Sequence, residues 1–359
     1  MILYFGILIT TTLSSYILFM NKGVETVKVK MGDCNISFMY KRGFLPTFVI
    51  LAFFSAVREG IGIDYYSYIN HIMMIQKDSS HHYMEIGFKK LVQLLAMINI
   101  EPRLVLIVVG VLTTWLFVSA IWEQSSNTAF SVFIFLSWGY YFFSYNTVRN
   151  FFALAISIYS MRFLRQRKRL YFILFVLLAA LFHKSALSCL PSYFLSDNRW
   201  KKHYYFIVGI GILAALLLKE QLREFVFYFY PGYEGGAYDT ERISYLNIVK
   251  AILAILLCLI CCKKVDEDKD NRLYFHLNVL ALALYTGMYW IPEISRIGFY
   301  LNTTSIFLLP NVLEKVKNRK NKKLLKFVVY LFSIILFYLL CKKFYRSTIQ
   351  LLPYKSWLF

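Results

Sequence analysis

The chain is short of charge, and of negative charge above all. Only 17% of its 359 residues are Asp, Glu, Lys or Arg, and 20 acids face 40 bases, a formal net charge of +20. Soluble domains devote about a quarter of their residues to charge. Against this scarcity stand 58% hydrophobic and 19% aromatic residues and a mean hydropathy of +0.53. That balance excludes one large soluble domain. It also excludes a disordered chain, which would have few apolar and aromatic residues. A multi-spanning membrane protein remains.

Other absences narrow the chemistry. The six cysteines (Cys34, Cys189, Cys258, Cys261, Cys262 and Cys341) show no paired spacing, and Cys261-Cys262 lacks a partner His or a CxxC. They read as apolar filler, and no metal site is expected. No nucleophile elbow, HExxH, Walker A or outward DxD occurs. Support is thereby withdrawn from a serine hydrolase, a zinc protease, a P-loop ATPase and a metal-dependent nucleotide-sugar transferase. There is no internal repeat and no low-complexity linker, so residues 1–359 read as a single transmembrane domain.

What is present is a series of apolar runs. A helix needs about 20 mostly apolar residues to cross a hydrocarbon core of about 30 Å. Such runs lie near 2–20, 44–57, 103–122, 128–146, 148–164, 169–196, 203–218, 244–262, 273–291, 297–313 and 327–343. The first has no basic n-region and no small-residue cleavage site, so it is expected to be a retained span. Connectors 21–43, 162–169, 197–203, 263–272 and 314–326 hold 24 of the 40 bases. The positive-inside rule puts them in the cytoplasm. The basic excess is then an orientation signal. Nucleic-acid binding is a poor reading, because no soluble domain presents these bases on one face.

Parity sharpens the span list. The stretch 169–196 must cross twice, turning at Phe182-His183-Lys184-Ser185-Ala186, which predicts two short helices. Residues 85–100, with Lys89-Lys90 inside, must not cross and read as an interfacial or re-entrant helix. The expected fold is an all-α polytopic protein of about 12 transmembrane helices with both termini outside. Outer loops 58–102, 219–243 and 344–359 would contribute to an outward-facing site.

Parity also places Arg58, Asp64, Glu85, Arg149, His183, Glu293 and Arg296 at the outer boundary. Ionisable groups at that depth are costly and face a cavity or a partner. Arg58 and Asp64 flank two glycines in Arg58-Glu59-Gly60-Ile61-Gly62-Ile63-Asp64 and could line one pocket, although a snorkelling arginine beside a polar turn leaves the same trace. Asn146, Arg149 and Asn150 have the spacing of one helical face, and a guanidinium flanked by amides suits a phosphate. Arg296 and Tyr300 are four apart. The loop Tyr228–Tyr238, with Tyr233, is aromatic and glycine-rich, fit either to stack on sugars or to form an interfacial belt.

These motifs, in this order, resemble the EpsG family of polytopic polysaccharide polymerases, related in role to the Wzy O-antigen and capsule polymerases. Arg58, Gly62, Asp64, Tyr65 and Tyr68 meet an Arg…Gly-x-Asp-Tyr-x-x-Tyr pattern. Glu85, Gly87 and Phe88 meet Glu-x-Gly-aromatic, and Asn146 and Arg149 meet Asn-x-x-Arg. Phe182, His183, Ser185 and Ala186 form the Phe-His-x-Ser-Ala turn, and Arg296 and Tyr300 the late Arg-x-x-x-Tyr. Pro353-Tyr354-Lys355-Ser356 resembles a closing segment of such polymerases. Ile63 and Asn150 depart from the pattern, where threonine and glutamine are common.

The resemblance implies a GT-C-like, metal-independent glycosyltransferase without a cofactor, in the cell (inner) membrane and facing the periplasm or outside. Its partners would be undecaprenyl-diphosphate-linked glycans, the bilayer and a chain-length regulator. It would join lipid-linked repeats in an inverting displacement, which needs a base for the acceptor hydroxyl and cations for the departing diphosphate. Arg58, Arg149 and Arg296 are the diphosphate candidates. Asp64 leads Glu85 and His183 as base, although the carboxylates, Glu85 above all, could instead brace the arginines, and Asn146, Tyr68, Tyr233 and Tyr300 are sugar-binding candidates. A lipid-linked oligosaccharide flippase and a membrane O-acyltransferase with His183 as base are the competing classes. The first usually shows two related halves with cations buried centrally, and the second an arginine–histidine pairing in the first span; neither is evident.

Overall fold

The computed structural model describes residues 1–20, 24–31, 34–41, 43–78, 84–196, 202–236, 239–261, 265, 268–346 and 350–358. The chain runs α1 (Ile2–Met20), β1 (Val24–Met31), β2 (Cys34–Lys41), α2 (Phe44–Ala56), α3 (Tyr65–Lys77), α4 (Ile86–Ala96), α5 (Pro102–Gln124), α6 (Thr128–Ser137), α7 (Tyr140–Phe143), α8 (Val148–Arg165) and α9 (Arg169–Ala180). A 3-10 turn (Lys184–Cys189), α10 (Ser192–Leu195), α11 (Lys202–Leu217), α12 (Lys219–Phe229) and a second 3-10 turn (Pro231–Tyr233) follow. The last elements are α13 (Tyr245–Ile260), α14 (Lys269–Gly287), α15 (Ile294–Asn302), α16 (Ser305–Glu314) and α17 (Arg319–Arg346). The helical expectation holds for the whole bundle. One addition to it is the antiparallel β1–β2 pair, registered from Val24↔Lys41 to Met31↔Cys34, in a connector read from sequence as a loop. The two-residue alternation of Val27, Val29 and Met31 with Lys28 and Lys30 is the strand signal.

Among the described residues, Pro102–Gln124 and Arg319–Tyr345 are long and apolar enough to cross a membrane alone. His203–Leu217 and Lys219–Phe229 pass together but bend by 80°, and five shorter apolar helices accompany them. These are the helices of a membrane protein. By length and apolarity alone, two described helices qualify, or three if the bent pair is one span, which does not establish the expected 12; some helices are too short, and two of the runs read as single spans are broken. Residues 128–146 divide at Trp138-Gly139, and 297–313 at Thr303-Thr304.

Polar groups close those breaks. The Trp138 carbonyl, at the end of α6, accepts from the fully buried Lys250 ammonium at 2.6 Å. The ammonium also lies 5.0 Å from the Tyr140 ring. The Tyr140 hydroxyl donates to Asn302 Oδ1 at 2.7 Å, and Asn302 Nδ2 donates to Asn278 Oδ1 at 2.9 Å, which ties α7, α15 and α14 together. Without water to satisfy them, backbone groups freed by a break must find such partners inside the bundle.

The stretch 169–196 does fold back on itself. The Arg169 guanidinium, at the start of α9, lies 5.1 Å from the Tyr193 ring, so the chain beyond His183 returns to its starting level. The returning leg is a 3-10 turn and the one-turn α10, not the second α-helix expected. Three of the basic connectors meet at that end of the bundle. Arg165 pairs with Asp270 at 2.7 Å, Lys315 with Asp268 at 2.5 Å, and Glu314 with Lys322 and Lys326 at 2.6 Å.

At the other end the C-terminal segment straps the loop after α2. Glu59 N–H donates to Lys355 O at 3.0 Å, Trp357 N–H to Val57 O at 3.2 Å, and Gly62 N–H to Gln350 O at 3.0 Å. The Tyr4 hydroxyl holds Leu351 O at 2.6 Å, and the Tyr354 hydroxyl holds Phe54 O at 2.6 Å. Nearby, α12 carries its own clamp, in which Arg223 grips Asp239 at 2.6 Å and Glu241 at 2.9 Å.

Candidate active site

The site begins with loop 57–64, which has to bend sharply beside another backbone. Gly62 adopts a φ of +88°, and a Cβ there would sit 2.8 Å from Asn146 Oδ1 and 3.0 Å from Asn146 Cα. Only glycine meets both demands. The closeness lets Asn146 Oδ1 accept from the Asp64 N–H at 3.2 Å, which holds the Asp64 backbone at the start of α3. Asn146 Oδ1 is therefore engaged by the loop.

A second close approach sets Glu85. Gly87 lies against the hairpin apex, where a Cβ would meet Leu181 Cβ and O at 2.8 Å, and its N–H donates to Leu181 O at 2.8 Å. With α4 docked there, Phe88 is buried against Tyr68, ring centroids 6.1 Å apart, and Glu85 reaches Arg149 in a direct ion pair. The Arg149 guanidinium lies 5.7 Å from the Tyr68 ring, and the Tyr68 hydroxyl accepts from Arg149 N–H at 3.5 Å. Tyr68 thus supports Arg149 from beneath and is itself buried.

Arg296 enters from the start of α15, where its Nε lies 2.8 Å from the Glu293 carboxylate. Glu293 holds a left-handed backbone (φ +56°, ψ +23°), and its side chain makes no helix-capping bond. A non-glycine residue in that region costs about 1–3 kcal/mol. The charges of Arg296, Glu293 and Arg149 all bear on the Asp64 carboxyl. The imidazole of His183, whose Nδ1 accepts from Ser185 N–H at 3.3 Å, lies in the field of Arg296 and Arg149. Partial burial lifts the Asp64 carboxyl above its ordinary value; Arg296 and Arg149 oppose the lift and Glu293 adds to it.

Asp64, Glu85, Arg149, His183 and Arg296 are therefore brought together, with Glu293 added. Glu293 belongs to the ionisable residues at the boundary, but sequence spacing gives it no role; its distinguishing feature is a backbone angle. Both arginines stand in the first turn of their helices, α8 and α15. There the helix dipole disfavours a cation by about 0.3–1 kcal/mol, whereas the same free N–H groups attract an anion. Helix stability does not explain them, and in the structure each is paired with a carboxylate, Arg149 with Glu85 and Arg296 with Glu293.

Other candidates lie elsewhere. Arg58 is 3% exposed, donates to Ser55 Oγ at 3.3 Å, and stacks 4.7 Å from the Tyr145 ring, below the cluster rather than in it. Tyr300 is fully buried, with its hydroxyl donated to Asn150 Oδ1 at 2.9 Å, and serves as a strut between α15 and α8. Tyr233 belongs to a different element, the 3-10 turn after α12, where its ring lies 6.3 Å from Tyr230. The shared face expected of Asn146, Arg149 and Asn150 does not form. The helix starts only at Val148, so Asn146 precedes it, and Asn150 turns inward to Tyr300.

Neither a curated protein nor a solved structure matches the chain. A family model does, over residues 43–356, from the turn before α2 to the strapping segment at the C-terminus, and so across every residue of the cluster. The chain belongs to the EpsG family, a Wzy-like polymerase-type family with a polysaccharide polymerase role.

Proposed function

We propose that the protein joins undecaprenyl-diphosphate-linked oligosaccharide repeats at the outer face of the cell (inner) membrane by an inverting glycosyl transfer. The observation that carries this reading is a pair of arginine–carboxylate ion pairs, Arg149–Glu85 and Arg296–Glu293, at one end of an apolar bundle, with the charges of both arginines bearing on Asp64. In this reading the chain crosses about 12 times in a GT-C-like arrangement. The basic connectors that meet at the opposite end face the cytoplasm, which turns the cluster outward.

The donor sugar arrives already activated by its diphosphate, so no nucleotide, cofactor or metal ion is required. Asp64 takes the proton of the acceptor hydroxyl, and that oxygen forms a bond to the anomeric carbon of the donor. The bond from that carbon to the diphosphate oxygen breaks, and the lipid diphosphate leaves with the electron pair. Arg149 and Arg296 stabilise the charge that develops on it. Glu85 braces Arg149, His183 stands beside both arginines, and Arg58 supports the loop that carries Asp64. A chain-length regulator is the protein partner this role calls for.

Purified protein given lipid-linked repeats tests the assignment. The wild type should build a ladder of products, unaffected by EDTA. Arg149→Ala and Arg296→Ala should each lower the rate by roughly 10²-fold or more, as does loss of one donor to a developing anion. Full activity in both variants would remove the diphosphate assignment. Loss of the wild-type ladder in EDTA would contradict metal independence.

A further inference from the structure

The two arginines are occupied. Glu85 holds Arg149, Glu293 holds Arg296, and Asp64 stands among them, so two guanidiniums face three carboxylates before any ligand arrives. A diphosphate carries two further negative charges and bonds to guanidinium through the same oxygen geometry that a carboxylate offers. Adding it to an already negative cluster is unfavourable unless carboxylates leave the arginines as it binds. Glu85 is fixed by the docking of α4 through Gly87. The Glu293 side chain is not fixed in this way: it sits in the short connector between α14 and α15, with no side-chain capping bond and on a left-handed backbone that a glutamate adopts only at a cost. Such a position favours glycine or asparagine. Its backbone carbonyl accepts from the Arg296 N–H at 2.8 Å, as any residue's would; what the glutamate side chain adds is a carboxylate 2.8 Å from Arg296 Nε.

We infer that Glu293 is a displaceable counter-ion, a positioning residue whose carboxylate keeps Arg296 in place when the site is empty and is exchanged for a phosphate of the donor. The inference rests on the diphosphate reading of Arg149 and Arg296. Returning to Arg296 after transfer, the carboxylate competes with the spent lipid diphosphate and speeds its release.

Binding of inorganic pyrophosphate to the full-length protein in detergent tests this, together with transfer kinetics. Glu293→Gln should bind pyrophosphate about tenfold more tightly than wild type, with KM for the lipid-linked donor lowered and kcat lowered as release slows. Glu293→Gly, which also relieves the backbone, should behave alike and guards against misfolding of the first variant. A merely structural role would leave affinity unchanged or weaken it, and that outcome in both variants would overturn the inference while leaving the diphosphate reading intact. If Arg296→Gln and Arg149→Gln do not weaken pyrophosphate binding to the wild-type chain, the diphosphate reading fails, and the inference with it.

Discussion

Arg149 and Arg296 are cations at the positive ends of their helices, which makes them costly there and informative. The same electrostatics give a pH prediction for Asp64. A base must be ionised, so transfer should fall as pH drops through a carboxyl value lying above the ordinary one. Arg296 is the strongest charge opposing that rise, so in the residual activity of Arg296→Gln the acid limb should move to higher pH. A pH–rate profile with the limb unmoved, or moved the other way, would separate Asp64 from Arg296. Replacing Asp64 by Asn should remove the limb along with most of the rate. At this scale the sequence exposes ionisable residues well, because a charge in apolar surroundings stands out. It does not distinguish a charge facing a cavity from one stacked under a ring. Arg58 and Tyr300 prove to be buried and engaged with Ser55, Tyr145 and Asn150, and the left-handed backbone of Glu293 leaves no trace in the sequence.

Two close approaches and one strap determine how the helices deliver these residues. Gly87 packs on Leu181, so Gly87→Ala should push α4 off the hairpin apex and draw Glu85 from Arg149. Transfer should drop by about tenfold or more, since misplacing a catalytic group by 1 Å can cost 10²-fold, while the helical bundle persists in circular dichroism. Deletion of residues 350–359 should uncouple loop 57–62 and abolish transfer without preventing membrane insertion, measurable as retained membrane-fraction protein with no ladder. Lys250→Met tests the helix break. It leaves the buried Trp138 carbonyl without its donor, at about 1–3 kcal/mol, and should lower the thermal midpoint in detergent. Apolar runs at 2–20, 44–57, 103–122 and 148–164 locate α1, α2, α5 and α8 to within a few residues. The breaks at Trp138-Gly139 and Thr303-Thr304 are not legible, because their partners, Lys250 and Asn278, come from distant helices. Nor is the 3-10 character of the leg after His183, which packing against α9 and α15 imposes.

Among the described residues, paired bases stand at two ends of the bundle. Arg165, Lys315, Lys322 and Lys326 are paired with acids at one end, where the connectors assigned to the cytoplasm meet. Arg149 and Arg296 stand at the other, among residues matched by the family over 43–356. The central claim is that this outer cluster lengthens a lipid-linked glycan. The glycan length distribution in a deletion strain tests it most directly, compared with the same strain carrying wild-type protein or Arg296→Ala. The account predicts one-repeat glycans on the outer leaflet, still acetylated, in the deletion and Arg296→Ala strains, and long chains on return of the wild type. Single repeats held on the inner leaflet, or long chains lacking only acetylation, would contradict it.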